Sequence, residues 1–311
     1  MTVDSVMTMR GSSVRAICIG LAVLLLGAVA VGCDKDRTDA VRLYNDAMRA
    51  FEGGGTGEAV GLLEESLEKD PTFYQAAFTL GQLQHRQLRN PEDAAPNFRR
   101  ALDQEPENPR FNYHYAMALA DSGDHEDAVD YFEVAISHDS DDARFWFGLA
   151  MSQEATGEFT DAVDSYMSSI ELQPRLRVAE HDMGGEHYYR LGELYYRFRL
   201  FNEAVQVFEN GAENNPTSAR LQHGLGLSTI ALGRHDDAVE AFEKALELDP
   251  SYAAASFSLV EAYRESGDID KAIEQIEALD GVRGLERIQQ QAAQRVLNEL
   301  RAERDEEEAE E

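Results

Sequence analysis

Residues 219–252 read ARLQHGLGLSTIALGRHDDAVEAFEKALELDPSY. Leu225 and Gly226 fall in an apolar run of helical period, and a small residue at such a point lets a second helix approach closely. Seven residues on, Gly233 can end the first helix in a left-handed turn. A second helical run then carries Ala238, Phe242 and Ala245, and Pro250 marks where it stops. The stretch therefore predicts two short antiparallel helices joined by a tight turn.

Working outward, the same register recurs. Ala59, Ala94, Ala128, Ala162, Ala204, Ala238 and Ala272 open equivalent runs, at intervals of 35, 34, 34, 42, 34 and 34 residues. Four residues after them stand Leu63, Phe98, Phe132, Tyr166, Phe208, Phe242 and Ile276. Seven after them stand Ser66, Ala101, Ala135, Ser169, Gly211, Ala245 and Leu279, mostly small. Twelve after them come Pro71, Pro106, Ser140, Pro174, Pro216, Pro250 and Gly284. Twelve before them (thirteen for Gly81, a one-residue insertion) lie Ala47, Gly81, Ala116, Ala150, Gly192, Gly226 and Val260. Seven residues beyond this last set, five repeats carry glycine, whereas the second and fifth carry Leu88 and Arg199. One hairpin cannot bury its apolar face alone, so such units stack on their neighbours.

A Leu-Gly pair, then Ala, an aromatic, Ala and Pro at a 34-residue period resembles the tetratricopeptide repeat, over roughly residues 40–284. Gly226, Ala238, Phe242, Ala245 and Pro250 match it best. The first repeat departs most, with Asp46 where a large apolar residue belongs and a loose Gly53–Gly57 turn. The resemblance implies an all-α chain. Its architecture would be a right-handed α-solenoid of about seven hairpins plus a C-terminal capping helix. The expected repeats are 40–73, 74–108, 109–142, 143–176, 185–218, 219–252 and 253–284, with an insertion near 177–184. A helix over 285–304, with Leu285, Ile288, Ala292, Val296 and Leu300 on one side, would cap the last repeat. The like-charge block 305–311 is expected to be disordered.

The first residues read differently. Arg10 and Arg15 precede an apolar run from Ala16 to Val31, closed by Ala30, Val31, Gly32 and then Cys33. A positive start, a short apolar core and small residues describe an export signal. The run is thin for a membrane span, which needs about 20 apolar residues. Ala-Val-Gly-Cys resembles the lipobox of bacterial lipoproteins, although Leu is commoner in that family where Ala30 stands. The resemblance implies that residues 1–32 are a signal peptide and that Cys33 becomes the lipidated first residue, followed by a short linker to residue 39. The alternative is an ordinary signal followed by a chance cysteine. The other cysteine, Cys18, lies inside the signal, so the mature chain forms no internal disulfide. The protein is accordingly expected on the periplasmic or extracytoplasmic face of a bacterial membrane, inner or outer being open.

Composition excludes several function classes. With 59 acidic and 28 basic residues the net charge is −31. Such a surface repels nucleic acid and anionic headgroups, leaving the lipid as the only expected membrane contact. The eight histidines show no zinc spacing, and no Gly-rich phosphate loop with its Lys occurs. No metal, cofactor or catalytic site is expected, and the repeats occupy every stretch long enough for another domain.

What remains is an interaction surface. A stripe along the first helices should line a groove, and it supplies Tyr44, Phe78, Arg110, Tyr113, Met117, Arg144, Phe147, Met151, Tyr189, Arg220, His223 and Phe257. Tyr and Arg are common anchors of interfaces. Arg110, Arg144 and Arg220 sit at helix N-termini, where the macrodipole disfavours a cation, which suggests a task such as pairing with a peptide carboxylate. The alternative is that the aromatics are packing residues and each Arg pairs with a neighbouring carboxylate. The expected function is a membrane-anchored adaptor for other envelope proteins or peptides. Self-association through terminal repeats, or a ligand pocket formed by Arg144, Arg220, His223 and Tyr189, stay as alternatives.

Overall fold

The computed structural model describes residues 35–172, 185–280 and 286–310. The signal segment, Cys33 and the insertion at 177–184 lie outside the described residues. The chain divides into two compact units, Met1–Ser140 and Asp141–Glu311. The N-terminal unit holds α1 (35–52), α2 (Thr56–Lys69), α3 (Tyr74–Gln82), α4 (Pro91–Leu102), α5 (Pro109–Asp121) and α6 (His125–His138). The C-terminal unit holds α7 (Ala143–Thr156), α8 (Phe159–Leu172), α9 (Glu186–Arg197), α10 (Phe201–Asn214), α11 (Ala219–Ala231), α12 (His235–Leu248), α13 (Ala253–Glu265), α14 (Ile269–Asp280) and α15 (Arg287–Glu310). Among the described residues there is no strand. Successive helices pair as hairpins, and within each unit the second helix of one hairpin packs on the first helix of the next. This is the all-α solenoid of hairpins that the repeat register predicts.

Every hairpin turn has one residue in the left-handed region. Five are Gly54, Gly123, Gly157, Gly233 and Gly267; the other two are Arg89 (φ 52°) and Arg199 (φ 60°). A side chain in that region costs roughly 1–2 kcal/mol. The second turn falls on Arg89 rather than on Leu88. The inserted residue of that repeat is absorbed by a π-helical turn, Leu83–Gln87, which continues α3 and moves the turn along by one. At the far ends, Asp70 and Asp249 are extended because a following proline disfavours the helical region. Asn90, Asn108 and Asp142 cap α4, α5 and α7 by accepting first-turn amide hydrogens.

The bulky row of the second helices forms the core: Leu63, Phe98, Phe132, Tyr166, Phe208, Phe242 and Ile276 are all at most 2% exposed. The two serines in the small-residue row have a packing role of their own. Ser66 Oγ donates to the Ala40 carbonyl at 2.8 Å and Ser169 Oγ to the Ala143 carbonyl at 2.7 Å. Each ties a second helix to the start of its own first helix.

Two boundaries and one buried face differ from the sequence expectation. Residues 35–39 are helical and not a linker, because Arg37 pairs with Asp70 at 2.5 Å and lies over the Phe73 ring. Helix α15 runs to Glu310 through the acidic block, since Glu and Ala are good helix formers and extending an existing helix needs no new nucleus. Its buried side is Ala293, Leu297 and Leu300, with Val296 half-buried, while Ile288 is 76% exposed. Steps of four residues drift by about 40° each, so three of them carry Ile288 away from the face of Leu300.

Candidate peptide-binding face

The middle aromatics of the first-helix stripe do not point away from the second helices. Five of the seven pack on the bulky residue of their own second helix, among them Phe78 on Phe98 (5.7 Å between ring centroids), Tyr113 on Phe132 (6.0 Å) and Phe147 on Tyr166 (5.8 Å). Tyr189 does so on Phe208 (6.2 Å) and His223 on Phe242 (5.6 Å). Phe147 is the clearest correction. It is buried, because His187 of α9 covers its other face at 4.4 Å. Tyr44 leans on Phe73, and Phe257 joins the α13–α15 core. Met117 is half-buried and Met151 exposed.

The three arginines share a register but not a fate. Arg144 folds back on the helix cap, its Nε donating to Asp142 Oδ1 at 2.9 Å. Arg220 donates from Nη1 to Glu186 Oε2 at 2.6 Å and lies 3.9 Å above the Tyr189 ring. Next to it His223 is held neutral: Nε2 lies 3.0 Å from Ser258 Oγ, Nδ1 lies 3.3 Å from the Tyr252 hydroxyl, and burial lowers its pKa to about 4. The expected pocket of Arg144, Arg220, His223 and Tyr189 is thus committed to internal pairs. Arg110 is different: it is exposed and has no ion-pair partner among the described residues.

Arg110 borders a cavity of about 280 Å³ in the N-terminal unit, between α1, α3 and α5. Tyr44, Tyr74, Phe78 and Phe111 wall it with aromatic surface, Phe78 and Phe111 lying 4.6 Å apart. Gln75 also lines it, and its Oε1 is buried without a hydrogen-bond donor among the described residues. An unmet acceptor of that kind costs about 1–3 kcal/mol. The Glu105 carboxylate accepts a hydrogen bond from Tyr74, pushing that phenol up, and one from Asn108 Nδ2 at 2.8 Å. The cavity therefore offers apolar walls and one free cation, with the unmet Gln75 carbonyl buried behind them. Tyr44, Phe78 and Arg110 were legible as candidates. Tyr74 and Phe111 were not, since each stands beside the stripe and enters the cavity only through helix stacking.

A larger cavity of about 580 Å³ lies against α10, α11 and α12 and holds no member of the expected groove. Its acidic lining is largely engaged: Asp237 with Arg234, Glu247 with Lys244, and Glu243 with the Tyr263 hydroxyl. Among the described residues no cluster of His, Cys, Asp and Glu is arranged to hold a metal. No described helix is long and apolar enough to cross a membrane.

Three tetratricopeptide-repeat family models match, over residues 83–143, 143–176 and 229–295, together more than half of the chain. A stretch of 86 residues is 30% identical to the peroxisomal targeting signal receptor of Kluyveromyces lactis, covering 28% of this chain and 15% of the receptor. The chain spans between 11% and 17% of the length of such curated relatives. Among solved structures, the C-terminal part of a TPR repeat-containing protein from Cytophaga hutchinsonii superposes with TM-score 0.61 at 15% identity, over 79% of this chain and 97% of that one. YrrB, a TPR protein with an unusual peptide-binding site, gives TM-score 0.50 at 18% identity, over 65% of this chain and 99% of that one. At such identities the likeness is one of fold. With the register, the hairpins and the family models in agreement, the chain belongs to the tetratricopeptide-repeat family.

Proposed function

We propose that the protein is a membrane-anchored, non-catalytic adaptor of the bacterial cell envelope, which holds an extended segment of a partner protein along its first helices. The observation that carries the binding part is the Arg110 cavity, where an unpaired guanidinium and aromatic walls converge. An extended peptide supplies complements to the two exposed features: a carboxylate for Arg110 and an apolar side chain for the walls. The peptide-binding site of YrrB and the signal-receptor role of the Kluyveromyces lactis relative support the same reading. The anchor rests on the Ala30–Cys33 motif. Since residue 35 already lies in α1, lipidation at Cys33 would hold the N-terminal unit against the bilayer.

The test is a pulldown from envelope extract with the mature chain, run beside Arg110→Ala and beside Arg144→Ala with Arg220→Ala. The expected result is a partner retained by wild type and by the double variant and lost by Arg110→Ala. A partner held equally by all three would refute the site, and no partner would refute the adaptor. For the anchor, labelled palmitate should enter the wild type and not Cys33→Ser; label in neither would remove the lipoprotein assignment.

A further inference from the structure

At the hairpin edge of the C-terminal unit, the turn into α8 and the turn between α9 and α10 form one apolar patch. Phe159 opens α8, and Phe198 and Leu200 flank Arg199; the three side chains are 36%, 46% and 44% exposed. The Phe159 and Phe198 rings meet at 4.7 Å and 62°. Exposed single apolar residues are ordinary, whereas two exposed aromatic rings in contact, with Leu200 two residues along the chain, form a small apolar patch.

Opposite charges bracket the rings. Glu158 precedes Phe159 and Arg199 follows Phe198, and both are exposed with no ion-pair partner among the described residues. The Glu158 carboxylate accepts only the Thr156 hydroxyl, at 3.0 Å. Arg199 keeps its side chain in a left-handed conformation that glycine supplies in five of the seven turns, so the chain bears a backbone cost to present it.

The two rings touch, and along the chain one is preceded by Glu158 and the other followed by Arg199, a pattern that is self-complementary. A two-fold axis between the rings lays Phe159 of one copy on Phe198 of another and sets Glu158 against Arg199 twice. We propose that a second copy of this chain covers the patch, forming an isologous homodimer through the hairpin edge of the fourth and fifth repeats. A bilayer fits less well, because Asp161 and Glu203 are also exposed there and the net charge of −31 repels anionic headgroups. A partner surface of a single sign would meet like charge at one end of the patch. The interface is separate from the Arg110 cavity and does not depend on the adaptor reading. Being small, it should give a weak dimer.

The experiment is sedimentation equilibrium on the mature chain carrying Cys33→Ser, which retains every described residue. Over about 1 to 200 µM the mass should rise from monomer to dimer. Because each residue counts twice across a two-fold, Phe198→Ser should raise the dissociation constant on the order of 100-fold. Arg199→Glu should raise it on the order of 10-fold, and Arg199→Glu combined with Glu158→Arg should restore wild-type association. Circular dichroism checks that each variant folds, and Leu200→Ser is the second lesion should Phe198→Ser disturb Phe159. Monomer mass throughout would overturn the proposal and leave the patch to a different protein. A dimer indifferent to both apolar lesions, or a charge swap that fails to restore association, would overturn it equally.

Discussion

Gly226 and Gly233 stand seven residues apart in one repeat, and the structure predicts that replacing either by Ala destabilises the protein for a different reason. A Cβ on Gly226 would come within 2.4, 2.6 and 2.8 Å of three Phe242 ring carbons. That ring is fully buried and backed by His223, so it cannot move aside. Overpacking of this kind costs about 1–3 kcal/mol, and Ala recovers about 1 kcal/mol of helix propensity. With all three contacts under 3.0 Å the clash falls at about 2–3 kcal/mol, so the net expectation for Gly226→Ala is roughly 1–2 kcal/mol of destabilisation. At Gly233 nothing lies within 4 Å of the added Cβ, but φ is +74°, so Gly233→Ala loses roughly 1–2 kcal/mol through the backbone alone. A double-mutant cycle separates the two. In a Phe242→Leu background, which makes room, Gly226→Ala should become neutral or stabilising, while Gly233→Ala keeps its full cost. Urea unfolding followed by circular dichroism gives the four differences. The reasoning fails if Gly226→Ala is neutral in the wild type, or if Phe242→Leu leaves its penalty unchanged. Ala116 and Ala150 hold the equivalent position in other repeats, so the register alone would pass this substitution as harmless.

Three further outcomes are expected. Arg89→Gly should stabilise the N-terminal unit by about 1 kcal/mol in chemical denaturation, by removing a strained left-handed side chain. His187 is buried beside Ser169 Oγ (2.5 Å from Nδ1), and burial lowers its pKa to about 4, against a weaker opposing effect of Glu186. A depressed histidine binds fewer protons folded than unfolded, so its contribution is complete above pH 6.5 and is lost as pH falls toward 4. That amounts to roughly 3 kcal/mol, and His187→Gln should flatten this part of the stability profile; His223 titrates in the same window and leaves a remainder. On α15, Leu297→Ala should cost about 2–4 kcal/mol and Ile288→Ala less than about 0.5 kcal/mol in thermal unfolding, reversing the weight that apolar spacing alone gives them.

The fold was legible because a 34-residue register repeats the same three demands: a small residue where helices cross, a bulky one behind it and a left-handed turn between them. Gly226, Phe242 and Gly233 meet these in one repeat, and six other repeats echo them. What escaped the sequence depends on length and neighbours. The inserted residue near Gly81 was visible, but not that a π-turn would absorb it. The acidic block looked disordered in isolation and is helical because α15 delivers an existing helix to it. The binding face was legible only in outline, since register places a side chain on a helix but says nothing of which partner reaches it first.

The arginines show how that last step can be made. Arg220 is held by Glu186, the residue one repeat earlier on the preceding first helix, and Arg144 by Asp142, its own cap. At the corresponding places around Arg110 stand Gln75, one repeat earlier, and Asn108, the cap. Where those two arginines find a carboxylate Arg110 finds only amides, so it gains no ion pair, and Gln75 Oε1 is itself unmet. Restoring the acid should therefore close the site. Gln75→Glu is expected to pair with Arg110 as Glu186 does with Arg220 at 2.6 Å, and circular dichroism should show the fold kept. It should nevertheless abolish partner binding as fully as Arg110→Ala does, since a guanidinium already holding a carboxylate has none to offer a peptide. The decisive measurement is the affinity of the recovered partner for the two variants side by side. If Gln75→Glu binds like wild type while Arg110→Ala does not, Arg110 acts by packing rather than by its free charge, and the pairing logic drawn from the other two arginines does not extend to it.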